Sequence, residues 1–163
     1  MRVISVNIGE KQLIEWRGKD IATGIFKRSV NSPIFLGTTD VAKDQVVDRR
    51  YHGGLDKACY VYSTDHYDYW KKKYPELEWE HGMFGENLSV EGLDESDLRI
   101  GDTFELGNAT VQVAQPRQPC YKLGIRFRTQ AILKQFIQAP YPGVYLRVVK
   151  EGEVKVGDEL KPI

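Results

Sequence analysis

Ala109-Thr110-Val111-Gln112-Val113-Ala114-Gln115-Pro116-Arg117-Gln118-Pro119-Cys120-Tyr121-Lys122-Leu123-Gly124-Ile125-Arg126-Phe127 joins an alternating run to a segment stiffened by two prolines. Ala109 to Gln115 has the period of a half-buried strand. Pro116 and Pro119 have fixed φ and push Gln115 and Gln118 toward extended geometry, so Cys120 is expected on a stiff, non-helical segment. Arg117, Lys122 and Arg126 lie close by in sequence, and a neighbouring cation favours thiolate over thiol. A thiolate is what a soft metal or a sulfur-transfer reaction requires. The competing reading is a buried, inert cysteine beside surface cations, since free cysteine is among the most buried residue types. The residues alone leave both open.

Working outward, Val3, Ile4, Val6 and Ile8 predict a first strand. Gln12 to Trp16 and Ile21 to Arg28 predict a hairpin around Gly18-Lys19-Asp20, and Ile34 to Leu36 a short strand. Thr38 to Arg50 is polar, of mixed charge and without period, which predicts a long connection. Gly101-Asp102 and Gly157-Asp158 stand in similar surroundings and read as β-corners rather than metal ligands. Ser63-Thr64-Asp65 looks like a helix start, with Ser63 or Thr64 as cap. Tyr67, Trp70 and Tyr74 fall on one helical stripe, and Lys71-Lys72-Lys73 complement the dipole at its end. A second helix is expected from Thr129 to Ala139, with Thr129 as cap and Ala131, Ile132 or Leu133, Phe136 and Ile137 as its apolar stripe. Gly143 to Val149 is a late strand. Many short strands, glycine corners and two helices predict a mainly β fold with α insertions, a compact β-barrel.

Two further stretches carry polar chemistry. In Tyr51-His52-Gly53-Gly54-Leu55-Asp56-Lys57, adjacent glycines let backbone N–H groups approach an anion, and Lys57 adds charge. An ordinary glycine turn is the plainer reading. In Met83-Phe84-Gly85-Glu86-Asn87-Leu88, Glu86 and Asn87 sit between apolar residues and need partners if they face inward. They either orient a ligand or satisfy backbone groups.

The 163 residues suit a single domain, and 41% hydrophobic against 28% charged residues is a folded rather than a disordered composition. Lysine plus arginine balances aspartate plus glutamate at 23 each, so no global positive field argues for nucleic acid. No apolar run is long enough to span a bilayer, and the N-terminus lacks the core of a signal peptide. Cys59 and Cys120 are the two cysteines, far apart in sequence and without zinc-ligand spacing. Cys59, between Ala58 and Tyr60, reads as a packed thiol. Reduced thiols and a cytoplasmic location are the expectation.

Taken in order, His52-Gly53-Gly54-x-x-Lys57-Ala58, Phe84-Gly85-Glu86-Asn87-Leu88, Pro116-Arg117-x-Pro119-Cys120-x-Lys122 and Gly143-x-Tyr145-Leu146-Arg147-Val148 resemble the MOSC domain. That family is named for the C-terminal domain of molybdenum cofactor sulfurase. The resemblance runs over nearly the whole chain and is greatest to small stand-alone bacterial members, including those that reduce N-hydroxylated purines. It implies one MOSC-type β-barrel domain over residues 1–163, built around Cys120. In the reducing members the matching cysteine ligates molybdenum in a pyranopterin cofactor; in sulfur-trafficking proposals it carries a persulfide.

By the same resemblance Arg117 and Lys122 border the cysteine. His52, Gly53, Gly54 and Lys57 belong to the pocket loop, Glu86 and Asn87 line it, and Arg126 is a candidate phosphate contact. His52 is the candidate proton source, because its reference pKa lies near neutrality. The implied partners are a small N-hydroxylated substrate and a separate electron-donating reductase or, for a sulfur carrier, a desulfurase. A non-catalytic barrel that binds a small anion is the remaining alternative. No pyridoxal phosphate is expected, because the aminotransferase-like domain of a full-length sulfurase is not part of this sequence. The longer purine-detoxifying relatives carry a C-terminal helical domain that these residues do not include, which leaves substrate range open.

Overall fold

Residues 59–63, Cys-Tyr-Val-Tyr-Ser, show how the fold is built. Cys59 and Val61 enter one hydrophobic core while Tyr60 and Tyr62 enter another. Alternate side chains of a strand point to opposite faces, so this strand is covered on both. The computed structural model describes residues 1–163. Its strands are β1 Arg2–Gly9, β2 Gln12–Trp16, β3 Lys19–Thr23, β4 Lys27–Ser29, β5 Ile34–Leu36, β6 Cys59–Ser63, β7 Leu88–Glu91, β8 Thr103–Leu106, β9 Ala109–Pro116, β10 Val144–Lys150, β11 Gly152–Val154 and β12 Leu160–Pro162. Its α-helices are α1 Tyr67–Lys73, α2 Tyr121–Arg126 and α3 Ala131–Gln138.

Eight strands form one mixed sheet in the order β12-β8-β9-β10-β6-β7-β1-β4, with β6 and β7 its parallel neighbours. The expected barrel does not close. The far edge of β1 is divided: Asn7, Ile8 and Gly9 pair with β4, which leaves only its first residues for the other end of the sheet. There Arg2 and Glu159 form an isolated bridge, and Val3 N–H donates to the Asp158 carbonyl at 2.8 Å. The result is a curled sheet whose two ends touch at one corner. Both Gly-Asp corners have the same geometry. Asp102 accepts from Arg99 N–H at 2.8 Å, and Asp158 accepts from Lys155 N–H at 2.9 Å.

The inner face of the sheet packs aliphatic residues such as Val3, Leu88, Val111 and Leu146. The other face, around β6 and β10, carries an aromatic core of Tyr62, Trp70, Phe84, Phe127 and Phe136 under the helices. Tyr67, Trp70 and Tyr74 are buried, as the α1 stripe predicts. The entry to α1 differs from expectation. Thr64–His66 is a 3-10 turn; Ser63 stands at the cap position with its hydroxyl unpartnered, and the Thr64 hydroxyl donates to the Val90 carbonyl. In α3 only Ile132 and Phe136 are buried, while Ile137 is 71% exposed, so the apolar stripe is narrower than the sequence suggests.

The sequence reading missed α2. Cys120 itself is extended, with φ −118° and ψ 169°, the usual backbone of a residue that opens a helix.

Phe84 is fully buried and stacks on Tyr62 with ring centroids 4.2 Å apart. Phe84→Ala should cost about 3–5 kcal/mol, the usual range for emptying a packed aromatic site. Urea unfolding would register this as a lower midpoint at an unchanged slope.

Candidate functional site

Several separate stretches converge on one pocket. The end of β9 and the start of α2 supply Arg117, Cys120 and Lys122. The long connection before β6 supplies Asp44 to Val47 and His52, the turn before β7 supplies Gly85 and Asn87, and β6 and β10 supply Tyr60 and Tyr145. The residues after β3, Gly24 and Ile25, close another side.

Cys120 is half-buried, and its Sγ lies 3.9 Å from His52 Nε2. Arg117 is 7% exposed. It donates from Nη1 to the Phe84 carbonyl at 2.6 Å, and its guanidinium lies 4.8 Å from the Tyr60 ring centroid. Lys122 is 8% exposed and has no carboxylate partner. Lys27 does have one: its ammonium makes two hydrogen bonds to Asp44, at 2.7 and 2.6 Å. The pocket therefore holds an excess of nearly buried positive charge.

That charge shows in its neighbours. Burial, reinforced by Arg117, Lys122 and Lys57, pushes the His52 pKa down to about 4. His52 is thus imidazole, not imidazolium, at neutral pH, and the proton-source role drawn from its ordinary pKa loses its physical basis. Burial likewise pushes the Tyr60 and Tyr145 phenols up. In the core, burial raises the thiol pKa of Cys59 as well.

Among the residues singled out from sequence, His52, Asn87, Arg117, Cys120 and Lys122 meet at the pocket. The others stand elsewhere. Gly53 and Gly54 have φ of 72° and 86° and shape the turn behind His52, where Gly54 N–H donates to the Thr39 carbonyl. Lys57 donates to the Tyr51 carbonyl and lies outside the lining, but its ammonium stands 5.7 Å from the Tyr145 ring centroid and its field reaches His52. Glu86 is fully buried behind the pocket wall. It accepts from the Gly82 and Phe84 N–H groups and the Ser89 hydroxyl, each at 3.0 Å, and from the Tyr67 hydroxyl. Arg126 pairs with Glu80 at 2.9 Å, away from the pocket lining.

Sequence reasoning missed Lys27, Asp44, Tyr60 and Tyr145. The alternation of β6 and β10 could have placed the two tyrosines on one face. No pattern marks Lys27 and Asp44 as partners.

The MOSC domain family model matches residues 48–161, most of the chain, which takes in the pocket residues from His52 onward but not the lining at residues 23–27 and 44–47. The chain is a MOSC-domain protein. It is 42% identical to YflK of Bacillus subtilis over 159 residues, 98% of this chain and 72% of that one. It is 35% identical to YiiM of Escherichia coli over 141 residues, covering 85% of this chain and 63% of YiiM. A protein of Gibberella moniliformis named reductase is 33% identical over 146 residues, which are 26% of its length. The crystal structure of YiiM from Geobacillus stearothermophilus superposes with a TM-score of 0.80 at 33% identity, over 99% of this chain and 74% of that one. No helix of this MOSC protein is long and apolar enough to cross a membrane.

The depressed His52 pKa predicts a pH dependence of stability. Between the ordinary value near 6.5 and about 4, the unfolded chain takes up a proton that the folded chain refuses. Stability contributed by this residue is therefore present above pH 6.5 and lost as pH falls toward 4. Unfolding free energies of wild type and His52→Gln, compared from pH 7 to pH 4, should diverge across that window, with wild type losing more.

Proposed function

We propose that this MOSC protein is a molybdenum-cofactor-dependent oxidoreductase that reduces N-hydroxylated small molecules with electrons from a separate reductase. The observation that carries this reading is the Cys120 thiol, set in a pocket whose cations Arg117 and Lys122 have no acidic partner. The donor set fits the cofactor. The chain offers no group of three or more His, Cys, Asp or Glu side chains that could hold a bare metal ion. It offers one accessible sulfur, which suits a metal that arrives with a pterin dithiolene supplying its other sulfur ligands. The reductase name of the Gibberella moniliformis relative supports the reaction class.

In this reading Cys120 would hold the metal as its thiolate, the form a coordinating thiol takes. Arg117 and Lys122 face the anionic part of the ligand, where nearly buried cations attract charge most strongly. Asn87 keeps its side-chain carbonyl on Tyr60 N–H at 3.1 Å and its amide on Asp44 at 2.8 Å, which fixes one wall. Tyr60 and Tyr145 keep bulk water from the inner end. His52, as neutral imidazole, orients groups next to the sulfur. The bound cofactor supplies two-electron chemistry, by which R–NH–OH, two electrons and two protons become R–NH₂ and water.

Protein purified from a host that makes the cofactor should contain molybdenum and reduce a hydroxylamine when coupled to a reduced dye. Cys120→Ser should lose both, with an activity fall of at least about a hundredfold, as expected when a ligating group is removed. Full activity in Cys120→Ser, or wild type without molybdenum, would overturn the reading. A sulfane-sulfur adduct on Cys120 in molybdenum-free protein would favour a sulfur carrier instead.

A further inference from the structure

Lys27 is the third cation of the pocket lining, and it differs from Arg117 and Lys122 in carrying its own carboxylate. β4 delivers it from the edge of the main sheet, where it pairs with Gly9 at the end of β1. It is 8% exposed, and its ammonium donates to Asp44 Oδ1 at 2.7 Å and to Oδ2 at 2.6 Å. Asp44 also accepts from Gly9 N–H on Oδ1 and from Asn87 Nδ2 on Oδ2, each at 2.8 Å. An ionised carboxylate has about four acceptor positions, so Asp44 is full. An ammonium has three N–H donors. Asp44 takes two of them, and the third has no acceptor in the protein. Lys27, Asp44 and Asn87 all line the pocket, so the one open position of this cluster belongs to the pocket.

Charge decides what that position can bind. Arg117 and Lys122 lack carboxylate partners and attract an anion. The Lys27–Asp44 pair is neutral as a unit and presents a single charge-assisted donor, which suits a neutral oxygen. In an N-hydroxylated molecule that oxygen is the one that leaves. The titratable neighbours do not compete for the task. Burial holds His52 as imidazole at neutral pH and pushes the Tyr60 and Tyr145 phenols up, so none of the three is a charged donor.

We propose that Lys27 is a catalytic residue whose free N–H holds the substrate's hydroxyl oxygen while the N–O bond breaks, with Asp44 fixing the ammonium in place. The proposal rests on the reductase reading for its chemical step but not for the binding of the oxygen. Two electrons come from the reductase. As the N–O bond breaks, one electron pair leaves with oxygen and one stays on nitrogen; each takes up a proton from water, giving H₂O and R–NH₂. Negative charge grows on the oxygen before its proton arrives, and a preorganised donor in a nearly buried site stabilises it there. Lys27 keeps its own protons throughout.

The test uses the full chain as wild type, Lys27→Met and Lys27→Gln. Methionine leaves a buried carboxylate without its cation, which is strongly destabilising. Glutamine keeps one bond to Asp44 and a neutral donor toward the pocket, and it decides the question alone if Lys27→Met does not fold. Binding is read first, by calorimetry without reductant. Wild type should bind hydroxyurea about tenfold more tightly than urea, a preference narrowed to about threefold in Lys27→Gln and abolished in Lys27→Met. Turnover is read second, in molybdenum-loaded protein, on a hydroxylamine and its O-acetyl ester. Acetate leaves as a stable anion and has little need of a donor. On the hydroxylamine, kcat should fall about a hundredfold in Lys27→Met and about tenfold in Lys27→Gln, with far smaller losses on the ester. Molybdenum content should be equal in all three proteins. Equal kcat losses on both substrates, or a full hydroxyurea preference in Lys27→Gln, would overturn the proposal. A preference lost in the variants, with no hydroxylamine reduced by wild type, would uphold the donor and overturn the reductase reading.

Discussion

The pocket depends on one buried carboxylate. Asp44 accepts from Gly9 N–H at 2.8 Å, from Asn87 Nδ2 at 2.8 Å and twice from the Lys27 ammonium. A buried ion pair is stabilising only when its geometry is good and its remaining lone pairs are satisfied, and this one meets both conditions. Its partners come from the end of β1, from β4 and from the turn before β7. This one side chain in an irregular connection thereby ties it to three other segments. Gln45, Val46, Val47 and His52, which follow it, become a wall. Backbone bonds reinforce it: Gln45 N–H donates to the Gly9 carbonyl and Ala42 N–H to the Phe35 carbonyl, each at 2.9 Å.

The second constraint is the two-sided burial of β6 and β10. Because both faces of these strands are covered, one face builds the aliphatic core and the other places Tyr60 and Tyr145 toward the site, with ring centroids 5.2 Å apart. Arg117 stands over Tyr60, so its nearly buried charge is offset by aromatic faces and a carbonyl rather than by a carboxylate. The charge remains available to a ligand. Lys27 makes the contrast: equally buried and in the same pocket, it is neutralised by Asp44.

Glu86 illustrates how a family motif and a site can part company. Its position between apolar residues correctly signals an inward-facing polar group, but its oxygens are spent on the Gly82–Ser89 turn and Tyr67. It shapes the wall that Asn87 completes. His52 is the converse case. Its place beside the sulfur agrees with the motif, while its protonation state follows from burial and from cations that are distant in sequence.

The sequence by itself determined the local terms: the strand alternation, the α1 stripe and both Gly-Asp corners. Each depends on residues within a turn or a strand of one another, so its physical cause is written in adjacent letters. Only the tertiary structure decided the open sheet, since whether β1 pairs with β4 or with the far edge is a competition between segments remote in the chain. It also decided that Cys120 opens a helix and that Lys27 and Asp44 are partners. Charge burial and pairing are properties of distance in space, and period and spacing along a chain do not encode them.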